Sequence, residues 1–270
     1  MSIGEMGRPV AAITGASSGF GQTFAQKLAA RGYDLLLIAR RKGRLDQLAE
    51  DLHNQYGIEA EVLAADLSSD ADLQKAEERI ESLPSLYYMI NNAGFGGNKV
   101  FPDVDIAVET GMIKVHCLAT MRLSRAALVP MIAKGSGRII NLASVAGFLT
   151  GDGSADYSST KAWVISFSKS LQCDVGRKGI RVQALCPGFT RTGFHDAETM
   201  KDSPIKKTVP DFLWLKADRV VACSLRSIER PAFFYRVICI PGLLYKTITF
   251  FGSEWIFSPL RILFSHGRVR

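Results

Sequence analysis

Two kinds of apolar pattern alternate along this chain. Short runs of aliphatic and β-branched residues lie at 10–13, 35–39, 59–65, 87–90, 138–142 and 180–185. Between them the apolar residues recur every three or four positions, as in Phe24, Leu28 and Ala29, then Leu45, Leu48 and Leu52. A broader stripe of Val108, Met112, Val115, Leu118, Ala119 and Leu123 falls within 105–133, and another helical stretch includes 157–176. The short runs read as buried strands and the spaced stretches as helices with one apolar face. Strands that alternate with helices predict an α/β fold whose parallel sheet is covered on both faces.

The first strand runs into Thr14-Gly15-Ala16-Ser17-Ser18-Gly19-Phe20-Gly21, and a helical pattern follows at once. Gly15 suits the positive φ that turns the chain out of a strand. Gly19 lets the backbone approach a ligand, and Gly21 lets the new helix pack against the sheet. The helix then directs its unpaired N–H groups and positive dipole end at whatever lies over the turn, and a pyrophosphate suits that position. The strand, turn, helix, strand order makes dinucleotide binding the preferred reading over a merely structural turn. The sequence Asn91-Asn92-Ala93-Gly94 stands at the end of the fourth strand, where open α/β sheets bind ligands.

Composition narrows the function classes. The 270 residues show no linker or change of composition before about position 200, so a single domain is expected. The net charge of +7 is spread along the chain without Lys/Arg runs interleaved with aromatic residues, which argues against nucleic acid and for a general attraction of phosphorylated ligands. Five cysteines without C-x-x-C spacing read as reduced residues of an intracellular protein, and no metal site is expected. With no signal-like segment and no run of about 18 apolar residues, the expected location is cytoplasmic.

Tyr157 and Lys161 are four residues apart in a helical stretch and so point from one face. An ammonium beside a phenol favours the ionised form and brings an acid/base group toward neutral pH. Taken alone, the pair also reads as an ordinary helix face, and Ser144 alone as a loop serine. Together with Thr14-Gly15-x-x-x-Gly19-x-Gly21, Asp66, Asn91-Asn92-Ala93-Gly94 and Pro187-Gly188, however, they stand in the order found in the short-chain dehydrogenase/reductase family. The chain resembles that family from about residue 10 to residue 192.

The resemblance implies a Rossmann-type doubly wound parallel sheet and specific roles. Tyr157 would be the general acid/base at the carbonyl or alcohol oxygen, Ser144 would bond the same oxygen, and Lys161 would lower the Tyr157 pKa while bonding the nicotinamide ribose. Gly15, Ser17, Ser18, Gly19, Phe20, Gly21, Asp66, Leu67, Asn92, Ala93, Gly94, Pro187, Gly188, Thr190 and Thr192 would contact the cofactor, with Thr192 at the spacing of the threonine that bonds the carboxamide. The family usually has an asparagine in the long helix, whose main-chain carbonyl holds a relay water. Here His116 stands at that position, either as a participant in the relay or as a helix-packing residue.

Cofactor choice follows from charge. The second strand ends in Ala39, Arg40 and Arg41 where an acidic residue would bond the ribose hydroxyls of NAD, so Arg40 points to NADP(H). The basic residue often seen in the family at the place of Ser18 is missing. Residues 193–211 turn polar and irregular, with Pro204 and Pro210, and resemble the family's substrate loop. The tail, 232–270, is expected to hold a short strand and an apolar helical stretch. Packing on the core or in a dimer is preferred for it, ahead of a pocket wall or a helix resting on a membrane. With Phe189, Phe194, Phe212 and Trp214 near the loop, the expected activity is hydride transfer between NADP(H) and a lipophilic ketone or aldehyde, 3-oxoacyl or steroid-like, or its alcohol. A cofactor sensor without turnover and a reductase of small polar carbonyls are the alternatives. The resemblance further implies a homodimer or homotetramer.

Overall fold

A computed structural model describes residues 3–4, 7–97, 99–149, 153, 155–196, 209–231 and 235–251. The expected strands and helices appear within one or two residues of the boundaries read from the apolar pattern. In chain order they are β1 (Val10–Thr14), α1 (Gly19–Ala29), β2 (Asp34–Ala39), α2 (Lys42–Tyr56), β3 (Ala60–Ala64), α3 (Asp70–Glu81) and β4 (Leu86–Asn91). Then follow α4 (Ile106–Ile113), α5 (Thr120–Lys134), β5 (Gly137–Leu142), α6 (Ala155–Val175) and β6 (Ile180–Leu185). The last elements are β7 (Thr190–Arg191), β8 (Leu215–Lys216), α7 (Ala217–Ile228), β9 (Ile238–Cys239) and α8 (Leu243–Phe251).

Seven strands form one sheet in the order β3-β2-β1-β4-β5-β6-β9, with every neighbouring pair parallel. β7 and β8 pair separately beside it. The period of two along each strand divides the core. Ala11, Ile13, Leu35 and Leu37 meet Phe24 and Leu28 of α1, Leu45 and Leu52 of α2, and Val220 and Leu225 of α7. Val10, Ala12, Leu36 and Ile38 face Leu73 and Ile80 of α3 and Leu123 and Ala127 of α5. Burying each leucine of these layers stabilises the fold by about 2 kcal/mol, so the central strands are held from both sides.

The chain runs from β1 outward to β2 and β3, then returns to β4 on the other side of β1. The resulting crevice at the carboxyl ends of β1 and β4 is where an open α/β sheet takes its ligand. β2 begins with a buried carboxylate, Asp34, which accepts bonds from the amides of Gly4 and Glu59 at 3.0 Å each and lies 3.6 Å from Arg8.

The structure changes the reading of 105–133. The expected single helix is divided by a π-helical turn, Lys114–Ala119, between α4 and α5. A widened turn of this kind leaves the apolar stripe almost intact, so the periodicity does not reveal it. In the tail, β9 extends the sheet at its β6 edge and Tyr245 of α8 is buried. Phe233, Phe234 and all of 252–270, including Trp255 and Phe257, lie outside the described residues, as does most of 193–211.

Candidate active site

The glycine-rich turn is built as the sequence reading requires. Gly15 has φ +64° and Gly19 φ +58°, both in the left-handed region. A Cβ on Gly21 would come within 2.3 Å of the Gly15 carbonyl, so only glycine lets α1 begin so close to the turn. The Thr14 hydroxyl donates to the Ile90 carbonyl at 3.3 Å and accepts from the amides of Asn92 (2.9 Å) and Ala93 (3.0 Å). The Asn92 amide returns to the carbonyls of Thr14 (2.8 Å) and Gly15 (3.2 Å). These bonds fasten the loop after β4 to the turn after β1 and leave a concave floor of main chain, the shape a pyrophosphate needs. Asn91 turns inward instead, where its side-chain amide donates to Ser124 and Asn141.

At the outer end of this floor the structure places Arg41, which the sequence reading passed over in favour of Arg40. Its guanidinium donates to Ser17 Oγ (2.8 and 3.2 Å) and to Ser18 Oγ (2.9 Å). Burial first, then the neighbouring Arg44 and Arg40, lower its pKa. Arg40 is exposed and lies near Asp66. Burial raises the Asp66 carboxyl, yet the Ser68 amide and hydroxyl, with Arg40, hold it below its usual range. Leu67 is buried in the core and presents only its main chain, while Phe20 packs partly against the other core layer. The adjacency of the two arginines was the only sequence signal for Arg41, because which of them turns back depends on the path of the chain leaving β2.

Tyr157 and Lys161 lie one turn apart on α6, and Ser144 lies just after β5. The Tyr157 hydroxyl is hydrogen-bonded to Ser144, whose Oγ also accepts the Ala146 amide at 3.1 Å. Lys161 is buried; its Nζ donates to the Leu142 carbonyl at 2.8 Å and lies 5.6 Å from the Tyr157 ring centroid. Burial pushes the phenol up to about 12, against the opposing effect of Ser144, and pulls the lysine down to about 8. The sequence reading expected the amine to lower the phenol pKa. The group that opposes burial at the phenol is Ser144, while the amine donates to the Leu142 carbonyl.

His116, in the π-helical turn, is buried. Its Nε2 accepts the Phe95 amide at 3.2 Å and its Nδ1 lies 2.9 Å from the Thr160 hydroxyl. The ring meets Tyr157 edge-on, with centroids 5.9 Å apart. Thr160, inside the Tyr157-x-x-x-Lys161 spacing, is a site residue that the sequence reading missed.

After β6, Pro187-Gly188 leads to Phe189, and Thr190 is buried with its hydroxyl bonded to the Gly188 carbonyl at 2.9 Å. Thr192 lies over the glycine-rich turn, 3.4 Å from where a Gly19 Cβ would stand. Tyr245 fills the space above Gly188, where a Cβ would come within 2.1 Å of its ring. Its hydroxyl accepts the Phe189 amide (3.1 Å) and donates to the Leu213 carbonyl (2.7 Å). Nothing local in the sequence marks Tyr245. Phe194 stands 6.0 Å from the Tyr157 ring and Phe189 stands 5.7 Å from Trp214, centroid to centroid.

With this geometry in place, comparison with known proteins is direct. Residues 9–202 match the family model described as short chain dehydrogenase. A 3-oxoacyl-(acyl-carrier-protein) reductase of Aquifex aeolicus is 33% identical over 184 residues, covering 68% of this chain and 74% of that protein. A short-chain dehydrogenase from Sphingobium yanoikuyae, solved in complex with NADPH, superposes with a TM-score of 0.80 at 32% identity, covering 97% of this chain and 96% of that one. The bulky-bulky ketone specific alcohol dehydrogenase from Comamonas testosteroni gives a TM-score of 0.77 at 30% identity, covering 97% and 95%. The chain belongs to the short-chain dehydrogenase/reductase family and is an oxidoreductase acting on CH–OH/C=O groups. Among the described residues no helix is long and apolar enough to cross a membrane.

Proposed function

We propose that the protein reduces a lipophilic ketone or aldehyde with NADPH, and that the aromatic packing against the catalytic tyrosine carries this reading. Phe194 beside Tyr157 supplies an apolar wall near the reacting oxygen, and Phe189 and Trp214 pack against each other in the segments that follow β6. An apolar group is worth about 0.8 kcal/mol per buried methylene there, whereas a polyol would lose its water without replacement partners. The chain's likeness to a bulky-ketone alcohol dehydrogenase and to a 3-oxoacyl reductase supports the same class of substrate.

The glycine floor and the α1 N-terminus fit a pyrophosphate, and Arg41 held over Ser17 and Ser18, with Arg40 alongside, fits a 2′-phosphate. When bound, the nicotinamide supplies or accepts the hydride. Ser144 and Tyr157 hold the substrate oxygen between two hydroxyls. A phenol held up near 12 is fully protonated at neutral pH, so Tyr157 is ready to give its proton to the oxygen that becomes the alcohol. Lys161, with one proton on the Leu142 carbonyl, keeps its other donors for the ribose and the tyrosine. Exposed Ile113, Met121, Val129 and Ile132 along α4 and α5 support self-association through those helices.

The test is NADPH and NADH consumption against straight-chain and ring ketones of increasing size. A several-fold rise in kcat/KM per added carbon, with NADPH preferred, is the expected result. If small hydroxy acids or ketoses outperform every lipophilic member, the aromatic residues serve packing alone. Cofactor binding without turnover would make the protein a sensor.

A further inference from the structure

We infer that His116 is a positioning residue that joins the loop after β4 to the turn of α6 carrying Tyr157, as a neutral imidazole protonated on Nδ1. The directions of the bonds settle the tautomer. The Phe95 N–H can only donate, so Nε2, at 3.2 Å, must be the bare nitrogen. The ring proton then lies on Nδ1 and is donated to Thr160 Oγ1 at 2.9 Å. Thr160 in turn donates its own proton to the Tyr157 main-chain carbonyl at 2.9 Å. One chain of three bonds, all pointing the same way, runs from the Phe95 amide to the backbone of the catalytic residue.

Two further observations fit this role. Gly94 is required beside it, because a Cβ there would stand 2.6 Å from His116 Nε2. The ring also meets Tyr157 edge-on and Phe95 at a tilt of 54°, with both centroids 5.9 Å away. A second proton on the ring would turn Nε2 into a donor facing the Phe95 donor. Burial and Lys161, the cation on α6 that faces the ring, oppose that proton against a smaller favourable effect of the Phe95 backbone; Tyr157 is the titratable neighbour on α6 that the ring touches. Burial, then Lys161, hold the imidazole well below its ordinary pKa. The side chain thus ties the loop after β4 to the turn of α6 from which the Tyr157 hydroxyl reaches Ser144. The inference deepens the oxidoreductase reading and rests on it for its kinetic consequences, though not for the tautomer.

The experiment has two arms. In the first, 15N-histidine spectra of the whole wild-type protein are followed against pH, with His116 identified among the four histidines as the resonance that survives replacement of the other three. A neutral Nδ1–H ring that does not titrate in the folded protein is expected. An Nε2–H ring, or titration near the ordinary value of about 6.5, would overturn the inference. In the second arm, His116→Phe and Thr160→Val are each expected to lower kcat about tenfold with KM for the ketone little changed, and the double variant to be no worse than either single. Both should also raise the pH at which alcohol oxidation is half-maximal, since Tyr157 loses its hold on Ser144, while Thr160→Ser should behave as wild type. Additive losses with an unmoved pH profile would overturn it. A wild-type protein without turnover would refute the oxidoreductase reading alone, and the spectra would still decide the histidine.

Discussion

Replacing Lys161 by Met tests the electrostatics of the site without any substrate. The Lys161 side chain is only 4% exposed and its pKa falls from 10.5 to about 8 on folding, chiefly through burial. At pH 7 the amine is protonated in both folded and unfolded chains, so the fold carries the full cost of a buried charge, about 3 kcal/mol. Between pH 8 and 10.5 the folded protein gives up its proton while the unfolded chain keeps it. The unfolded state then binds more protons, so this group makes wild-type stability rise with pH across that window. Lys161→Met lacks the group and the rise. Tyrosines and cysteines remote from Lys161 also titrate there and cancel in the difference, while Cys117 and Cys186, which its charge lowers, are both raised by burial and shift further up in the variant. The lost bond to the Leu142 carbonyl adds a constant of about 1 kcal/mol that does not vary with pH. Urea unfolding of both proteins without cofactor, at half-unit steps from pH 7 to 10.5, should show the stability of Lys161→Met relative to wild type falling by about 3 kcal/mol. A flat difference would mean that the amine is hydrated in the folded protein and that its depressed pKa, with the proton chemistry built on it, is wrong.

Three other changes probe separate parts of the site. Tyr157→Phe keeps the ring against His116 and Phe194 but removes the proton donor, so kcat should fall by about 10²- to 10⁴-fold with NADPH affinity near wild type in a fluorescence titration. Arg41→Ala should weaken NADPH about tenfold or more and NADH little, with Arg40→Ala smaller in the same direction; equal losses for the two cofactors would assign the arginines to folding. Gly188→Ala drives a methyl into the Tyr245 ring and should cost about 1–3 kcal/mol in chemical denaturation, whereas an unchanged midpoint would show that α8 yields freely.

The parts of this protein legible in its sequence are those where one local pattern decides the structure. The aliphatic runs 10–13 and 35–39 could only be buried strands, and Gly15 and Gly21 stand where a side chain would be strained or would collide. The residues that were missed depend on where distant segments meet. Arg41 reaches Ser17 across 24 positions and Tyr245 reaches Phe189 across 56. The π-helical turn at Lys114–Ala119 leaves hydrophobic spacing undisturbed, so neither its presence nor the partners of His116 is written in the local pattern. The proximity of amine to phenol was readable from a four-residue spacing, but not that burial raises the phenol with Ser144 as the opposing group, since burial is a property of the finished fold.

The clasp made by Tyr245 also bears on how the protein is born. Synthesis delivers the glycine-rich turn, the floor beneath it and the catalytic helix in sequence, and each can begin to pack on strands already made. The loop that follows β6 is joined to α8 through the Tyr245 hydroxyl, which accepts the Phe189 amide and donates to the Leu213 carbonyl. A nascent chain stalled before that residue would carry Ser144, Tyr157 and Lys161 but lack the Tyr245 bonds to Phe189 and Leu213. The contacts that close this loop therefore include a residue translated 56 positions after Phe189, later than every strand of the sheet.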